Sequence, residues 1–113
     1  RNHPLTGTIK FHSGVDIAVE LATPVYAAGS GNVIYAGRKG GYGRCIIIQH
    51  QFGFTSIYGH LSAYYTTAGK EIKQGQAIGF VGSTGQSTGN HLHFEIRKNK
   101  RAINPIWYDG HER

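Results

Sequence analysis

Short apolar runs rich in Val, Ile, Tyr and Phe alternate along this chain with glycine-containing turns, and helical periodicity is weak. Runs of this kind at close spacing predict an all-β fold. They place strands near Gly14–Ala18, Pro24–Ala28, Gly31–Gly37, Cys45–His50, Thr55–His60, Ala77–Val81 and His91–Arg97. Cys45–His50 and Phe54–His60 read as a hairpin turned by Gln51-Phe52-Gly53. In the tail, Asn104-Pro105-Ile106-Trp107-Tyr108 can start one short helical turn at the proline. No linker interrupts the pattern, so residues 1–113 read as one domain. A domain of this length buries roughly two thirds of its unfolded surface, enough for a core without staples.

The sharpest alternation is His91-Leu92-His93-Phe94-Glu95-Ile96. Successive side chains of a strand point to opposite faces. His91, His93 and Glu95 therefore share one face, and Leu92, Phe94 and Ile96 turn to the core. Two imidazoles on an accessible sheet face suit a metal site, although exposed His-x-His pairs also occur with no ligand role. By the same alternation Phe54, Ser56, Tyr58 and His60 share a face, and His50 shares one with Ile46 and Ile48. His60 alone reads as a hydrogen-bonded structural histidine, and His50 as structural or as support for a ligand. Glu95 reads either as an acceptor that orients a histidine or as half of a surface ion pair. His12-Ser13-Gly14-Val15-Asp16 is a further candidate, because a His and an Asp four apart can converge from a loop and the strand after it. Imidazole nitrogen and carboxylate oxygen both suit zinc.

Composition narrows the picture modestly. The formal charge is +6, which favours polyanionic partners such as nucleic acid, anionic lipid or an anionic wall polymer, or is simply a solvated basic surface. Lys98, Lys100 and Arg101 cluster after the last predicted strand, but aromatic and basic residues are not interleaved on one strand. A nucleic-acid role would rest on charge alone. Cys45 is the only cysteine, so there is no internal disulfide, and no apolar run is long enough for a transmembrane helix. The abrupt start at Arg1-Asn2-His3-Pro4 suggests a domain cut from a longer chain whose targeting segment lies elsewhere. Val25-x-Ala27 through Val33 and Gly69 through Gly79 faintly echo a lipoyl-type hairpin. A carrier domain needs a modified Lys, typically beside Met, and this chain has no Met.

Taken together, the motifs resemble the LytM/lysostaphin-type zinc peptidases of peptidase family M23. Arg1-x-His3-Pro4, His12-x-Gly14-x-Asp16, Thr23-Pro24-Val25-x-Ala27, Gly41-Tyr42-Gly43 and Tyr58-x-His60-Leu61 carry the resemblance. The strongest match is the run from Gly79 through Gly82-Ser83-Thr84-Gly85 to His91-Leu92-His93-Phe94-Glu95. The resemblance implies an antiparallel two-sheet sandwich or open barrel, of the duplicated hybrid motif type, with Gly-rich loops forming a groove. It implies that His12, Asp16 and His93 bind one zinc, and that His60 and His91 act in catalysis. Alternation by itself would make both His91 and His93 ligands. Three protein ligands leave a fourth position for water, as a catalytic zinc requires. The implied reaction is hydrolysis of a peptidoglycan stem peptide or cross-bridge by a zinc-activated water.

Which histidine serves as base stays open, since no His-Glu-x-x-His helix supplies the usual glutamate. Tyr42, Tyr58 and Asn90 are expected to line the groove. Leu21-Ala22 and Asn90 depart from the family's usual Gly-rich turn and Pro, which touches loop detail and bond preference. The resemblance further implies a periplasmic or extracellular location at a bacterial envelope. It brings an inhibitory segment or regulatory partner into view, and it implies no nucleic acid. Some relatives have lost ligands and regulate cell-wall amidases; a non-catalytic regulator predicts a broken zinc set, and all five positions are intact here. D-alanyl–diaminopimelyl links are favoured over glycyl bridges as the bond cut, because nothing suggests an appended wall-binding module.

Overall fold

The computed structural model describes residues 15–18, 20–83, 91–99 and 101–103, with the backbone alone at 15, 16, 18 and 101–103. His12, Asn90 and the tail from Asn104 lie outside the described residues. Among the described residues nine strands form in chain order: β1 (Val15–Ala18), β2 (Pro24–Tyr26), β3 (Gly31–Arg38), β4 (Arg44–Gln49), β5 (Phe54–Tyr64), β6 (Glu71–Ile72), β7 (Ala77–Val81), β8 (His91–Lys98) and β9 (Arg101–Ile103). Every pairing is antiparallel. The all-β antiparallel architecture is the one expected.

The main path of the sheet runs β1-β8-β5-β4-β3-β6. β5 is its spine: its first half lies between β4 and β8, and its second half turns away to pair with β7, which carries β2. The sheet thus curls around one core. Val25, Ala27, Val33, Ile46, Ile48, Tyr58, Leu61, Ile72, Ile78 and Val81 fill it, and Leu92 and Phe94 pack against them. Burying each large aliphatic side chain stabilises the fold by about 1.5–3 kcal/mol relative to exposure.

The β4–β5 hairpin turns through Gln51–Gly53, with Phe52 and Gly53 both at positive φ. β6 and β9 add to the strands expected from the apolar pattern, because two- and three-residue strands are too short for a period of two to register. β5 also runs on past His60 to Tyr64, since Ser62 to Tyr64 still has β7 to pair with.

One irregularity governs the rest. Arg44 pairs with Leu61 and Ile46 with Tyr58, so Gly59 and His60 together lie opposite the single residue Cys45. This bulge shifts the phase of β5. Tyr58 and Leu61 both enter the core, and the expectation that Tyr58 and His60 share a face fails. Tyr58 is 1% exposed and belongs to the core, not to the wall of a groove.

The Tyr58 hydroxyl sits in a directed chain of hydrogen bonds. The Ala28 N–H donates to the Tyr58 oxygen at 2.9 Å. Tyr58 Oη and Ser56 Oγ are 2.7 Å apart, as are Ser56 Oγ and His50 Nε2. His50 Nδ1 lies 2.7 Å from the Ser30 carbonyl, which can only accept, so Nδ1–H donates. His50 is therefore a structural residue tying β4 to the β2–β3 turn.

Two outcomes follow from this packing. Tyr58→Phe removes the acceptor of the Ala28 N–H and the partner of Ser56 Oγ, and should lower unfolding free energy by about 0.5–1.5 kcal/mol in a denaturant titration. Burial pushes the Cys45 thiol up to about 11. At pH 8 a thiol reagent should label Cys45 at the rate of unfolding, and fast labelling of native protein would contradict the burial.

Candidate active site

β8 is the floor of the site. Its alternation holds: Leu92 and Phe94 pack on the core, while His91, His93 and Glu95 face the other way. β5 lies beside it, with Gly59 directly across from His93 and Ile57 across from Glu95. The bulge lets His60 join this second face. The His60 and His91 ring centroids are 5.0 Å apart and those of His60 and His93 are 5.9 Å apart, both edge-on.

The position of His60 is costly. Its φ is +61°, a left-handed conformation that a non-glycine residue adopts at about 1–2 kcal/mol. The surrounding backbone holds it there: the Gly82 N–H donates to the His60 carbonyl at 3.0 Å, and the His91 N–H donates to the Gly82 carbonyl at 3.2 Å. One glycine thus links both histidines. A Cβ on Gly82 would come within 2.5 Å of the Ser62 nitrogen, so no other residue fits without movement.

Tyr42, in the 3-10 turn Gly40–Tyr42, lies over Gly59 and against His93, with ring centroids 5.6 Å apart. Gly59 leaves room for it, since a Cβ there would sit 3.2 Å from Tyr42 Cδ1 and 3.5 Å from His93 Cβ. The Tyr42 hydroxyl is turned toward β8. It donates to Glu95 Oε1 at 2.9 Å.

Glu95 is fully buried. Its Oε1 also accepts from His93 Nε2–H at 3.0 Å, and its Oε2 accepts from Arg97 Nε at 2.6 Å and from Arg97 Nη2. Both readings of Glu95 were therefore half right. It bonds a histidine and pairs with an arginine, but the pair is buried on the acid's side. Burial pulls the Glu95 pKa up; the hydrogen bonds from His93 and Tyr42 and the charge of Arg97 outweigh it and hold the acid below the usual carboxylate range. The Tyr42 hydroxyl is pushed up by burial and by the adjacent carboxylate. Sequence reading overlooked Arg97, although residue 97 shares the face of 91, 93 and 95 by the same period of two.

β1 supplies the remaining neighbour. Asp16 is the register partner of His93 on the adjacent strand. Among the described residues no three His, Cys, Asp or Glu side chains are placed to hold a metal ion. The described part of the site offers the His93 imidazole, whose nitrogen chemistry suits zinc, with the Asp16 backbone as its register partner.

Comparison with known proteins decides the family. The model for Peptidase family M23 matches residues 10–105, which spans every strand and the three histidines. The chain belongs to peptidase family M23. Its M23 relatives include the DD-carboxypeptidase/endopeptidase Mpg of Neisseria meningitidis, 46% identical over 94% of this chain and 24% of Mpg. Peptidoglycan DD-endopeptidase ShyB of Vibrio cholerae is 36% identical over 96% of this chain and 26% of ShyB. Among solved structures, a zinc containing peptidase from Vibrio cholerae superposes with a TM-score of 0.83 at 36% identity, covering 96% of this chain and 34% of that one. The chain spans about a quarter of the length of these curated M23 relatives.

The strain at His60 has a measurable consequence. His60→Gly should be more stable than His60→Ala by about 1 kcal/mol, because glycine adopts φ +61° without steric cost. Equal unfolding midpoints for the two variants would contradict the left-handed backbone.

Proposed function

We propose that this M23 domain is a zinc-dependent endopeptidase that hydrolyses peptide bonds in peptidoglycan, acting at a bacterial cell envelope. The observation that carries the reading is the gathering of His60, His91 and His93 on one face of the sheet, with Asp16 across from His93. Support for the substrate comes from the names of the relatives, Mpg and ShyB among them. Among the described residues no helix is long and apolar enough to cross a membrane.

His93, Asp16 and His12 would hold the zinc. When bound, zinc acidifies a water toward neutral pH and polarises the scissile carbonyl. His60 and His91 would do the protein's share: one takes a proton from the attacking water, and the other donates to the oxygen on which charge develops. His60 is only 6% exposed, which lowers the local dielectric and strengthens such contacts. Tyr42 would border the peptide beside His93, and Asn90 would contact it as well. A DD-link is the bond favoured, in keeping with the names of both relatives.

Purified peptidoglycan digested with the chain should release shortened or uncross-linked muropeptides by mass spectrometry, with cleavage at D-alanyl links. A product set cut only at glycyl bridges would overturn the bond preference, and no product with zinc supplied would favour the regulator. His93→Ala should abolish the roughly one zinc per chain measured by metal analysis. His60→Ala and His91→Ala should keep zinc and lose hydrolysis by at least about 100-fold, the usual scale for removing a general acid or base. Full turnover in both would refute the division of roles.

A further inference from the structure

Behind His93 lies an acid with more donors than an ion pair requires. Glu95 Oε2 is engaged by two nitrogens of Arg97, a residue that can only donate. Oε1 takes the His93 Nε2–H and the Tyr42 hydroxyl together. Ile57, itself buried, lies directly across on β5. The carboxylate cannot rotate without abandoning Arg97. A neutral imidazole has one donor and one acceptor nitrogen, and the partner of one nitrogen decides the character of the other.

We infer that Glu95 is a positioning residue: clamped by Arg97 and Tyr42, it fixes His93 as the Nε2–H tautomer and so makes Nδ1 the metal-binding nitrogen. This rests on the proposed role of His93 as a ligand. Tyr42 contributes twice, since its hydroxyl holds the acid and its ring flanks the imidazole at 5.6 Å. Outer partners of this kind commonly change metal affinity by about 10–100-fold when removed.

The arrangement has an asymmetry that a purely structural ion pair lacks. In Glu95→Gln, Arg97 still demands an acceptor, so the amide oxygen turns to Arg97 and the amide N–H groups face His93 and Tyr42. Nε2 must then accept, and the His93 proton moves to Nδ1, the wrong nitrogen for the metal. Removing Arg97 as well lets the amide flip back. The double variant should therefore behave better than the single one.

Long-range nitrogen–proton NMR of the metal-free chain with neutral histidines reads the tautomer directly. The wild type should show His93 protonated at Nε2, Glu95→Gln should show Nδ1–H, and Glu95→Gln with Arg97→Met should return toward Nε2–H. Zinc titration against a competing chelator should follow the same order, with affinity lowered about 10–100-fold in the single variant and partly restored in the double. A wild-type His93 protonated at Nδ1 would overturn the inference with no variant needed. So would a Glu95→Gln protein with unchanged tautomer and unchanged zinc affinity. If His93→Ala binds zinc as tightly as the wild type, the ligand role itself fails, and the tautomer spectra separate that result from a failure of the Glu95 network.

Discussion

One extra residue in the spine strand organises this protein. Gly59 and His60 share a single partner, Cys45, and the resulting phase shift sends the two ends of β5 to different tasks. Before the bulge, Tyr58 enters the core; after it, Leu61 enters the same core. Between them His60 is turned outward to meet His91 and His93. A regular strand would have to choose between burying Leu61 with Tyr58 and presenting His60 beside β8. The bulge costs a left-handed residue, about 1–2 kcal/mol. The burial of Leu61 and its neighbours outweighs that several times over.

The second constraint is a charge out of water. A buried carboxylate is unfavourable by several kcal/mol unless donors surround it. Arg97, Tyr42 and His93 provide them, and each comes from a place the fold must control: the end of β8, a 3-10 turn ahead of β4, and the middle of β8. The electrostatic need of Glu95 thus ties the turn carrying Tyr42 to the floor of the site. Gly59 contributes by lacking a side chain, which lets the tyrosine ring rest on the strand.

The two faces of the sheet have different chemistry for a physical reason. The inner face holds aliphatic side chains and one directed polar chain running from Ala28 through Tyr58, Ser56 and His50 to Ser30. The outer face holds histidines and a paired acid, backed by a rigid strand. Sites built on strands inherit the precision of the sheet, because the register that buries Leu92 and Phe94 also aims His91 and His93. Membership of peptidase family M23 fits this division: the match covers both the residues of the core and those of the outer face.

Much of this was legible in the chain. Alternation alone separated His91, His93 and Glu95 from Leu92 and Phe94, because a strand's period is two wherever one face is buried. The β4–β5 hairpin and the all-β class followed from apolar runs and turn glycines for the same local reason. The roles expected of His12, Asp16, His60 and Asn90 came from resemblance. Tertiary structure decided the rest. It took Tyr58 from the groove into the core, because a bulge depends on the strand paired opposite and leaves no mark on local alternation. It buried Glu95 and gave it Tyr42 from 53 residues away in sequence, a contact that exists only once the turn before β4 folds over Gly59. Periodicity reports which way a side chain points; what it meets there depends on strands brought together from elsewhere in the chain.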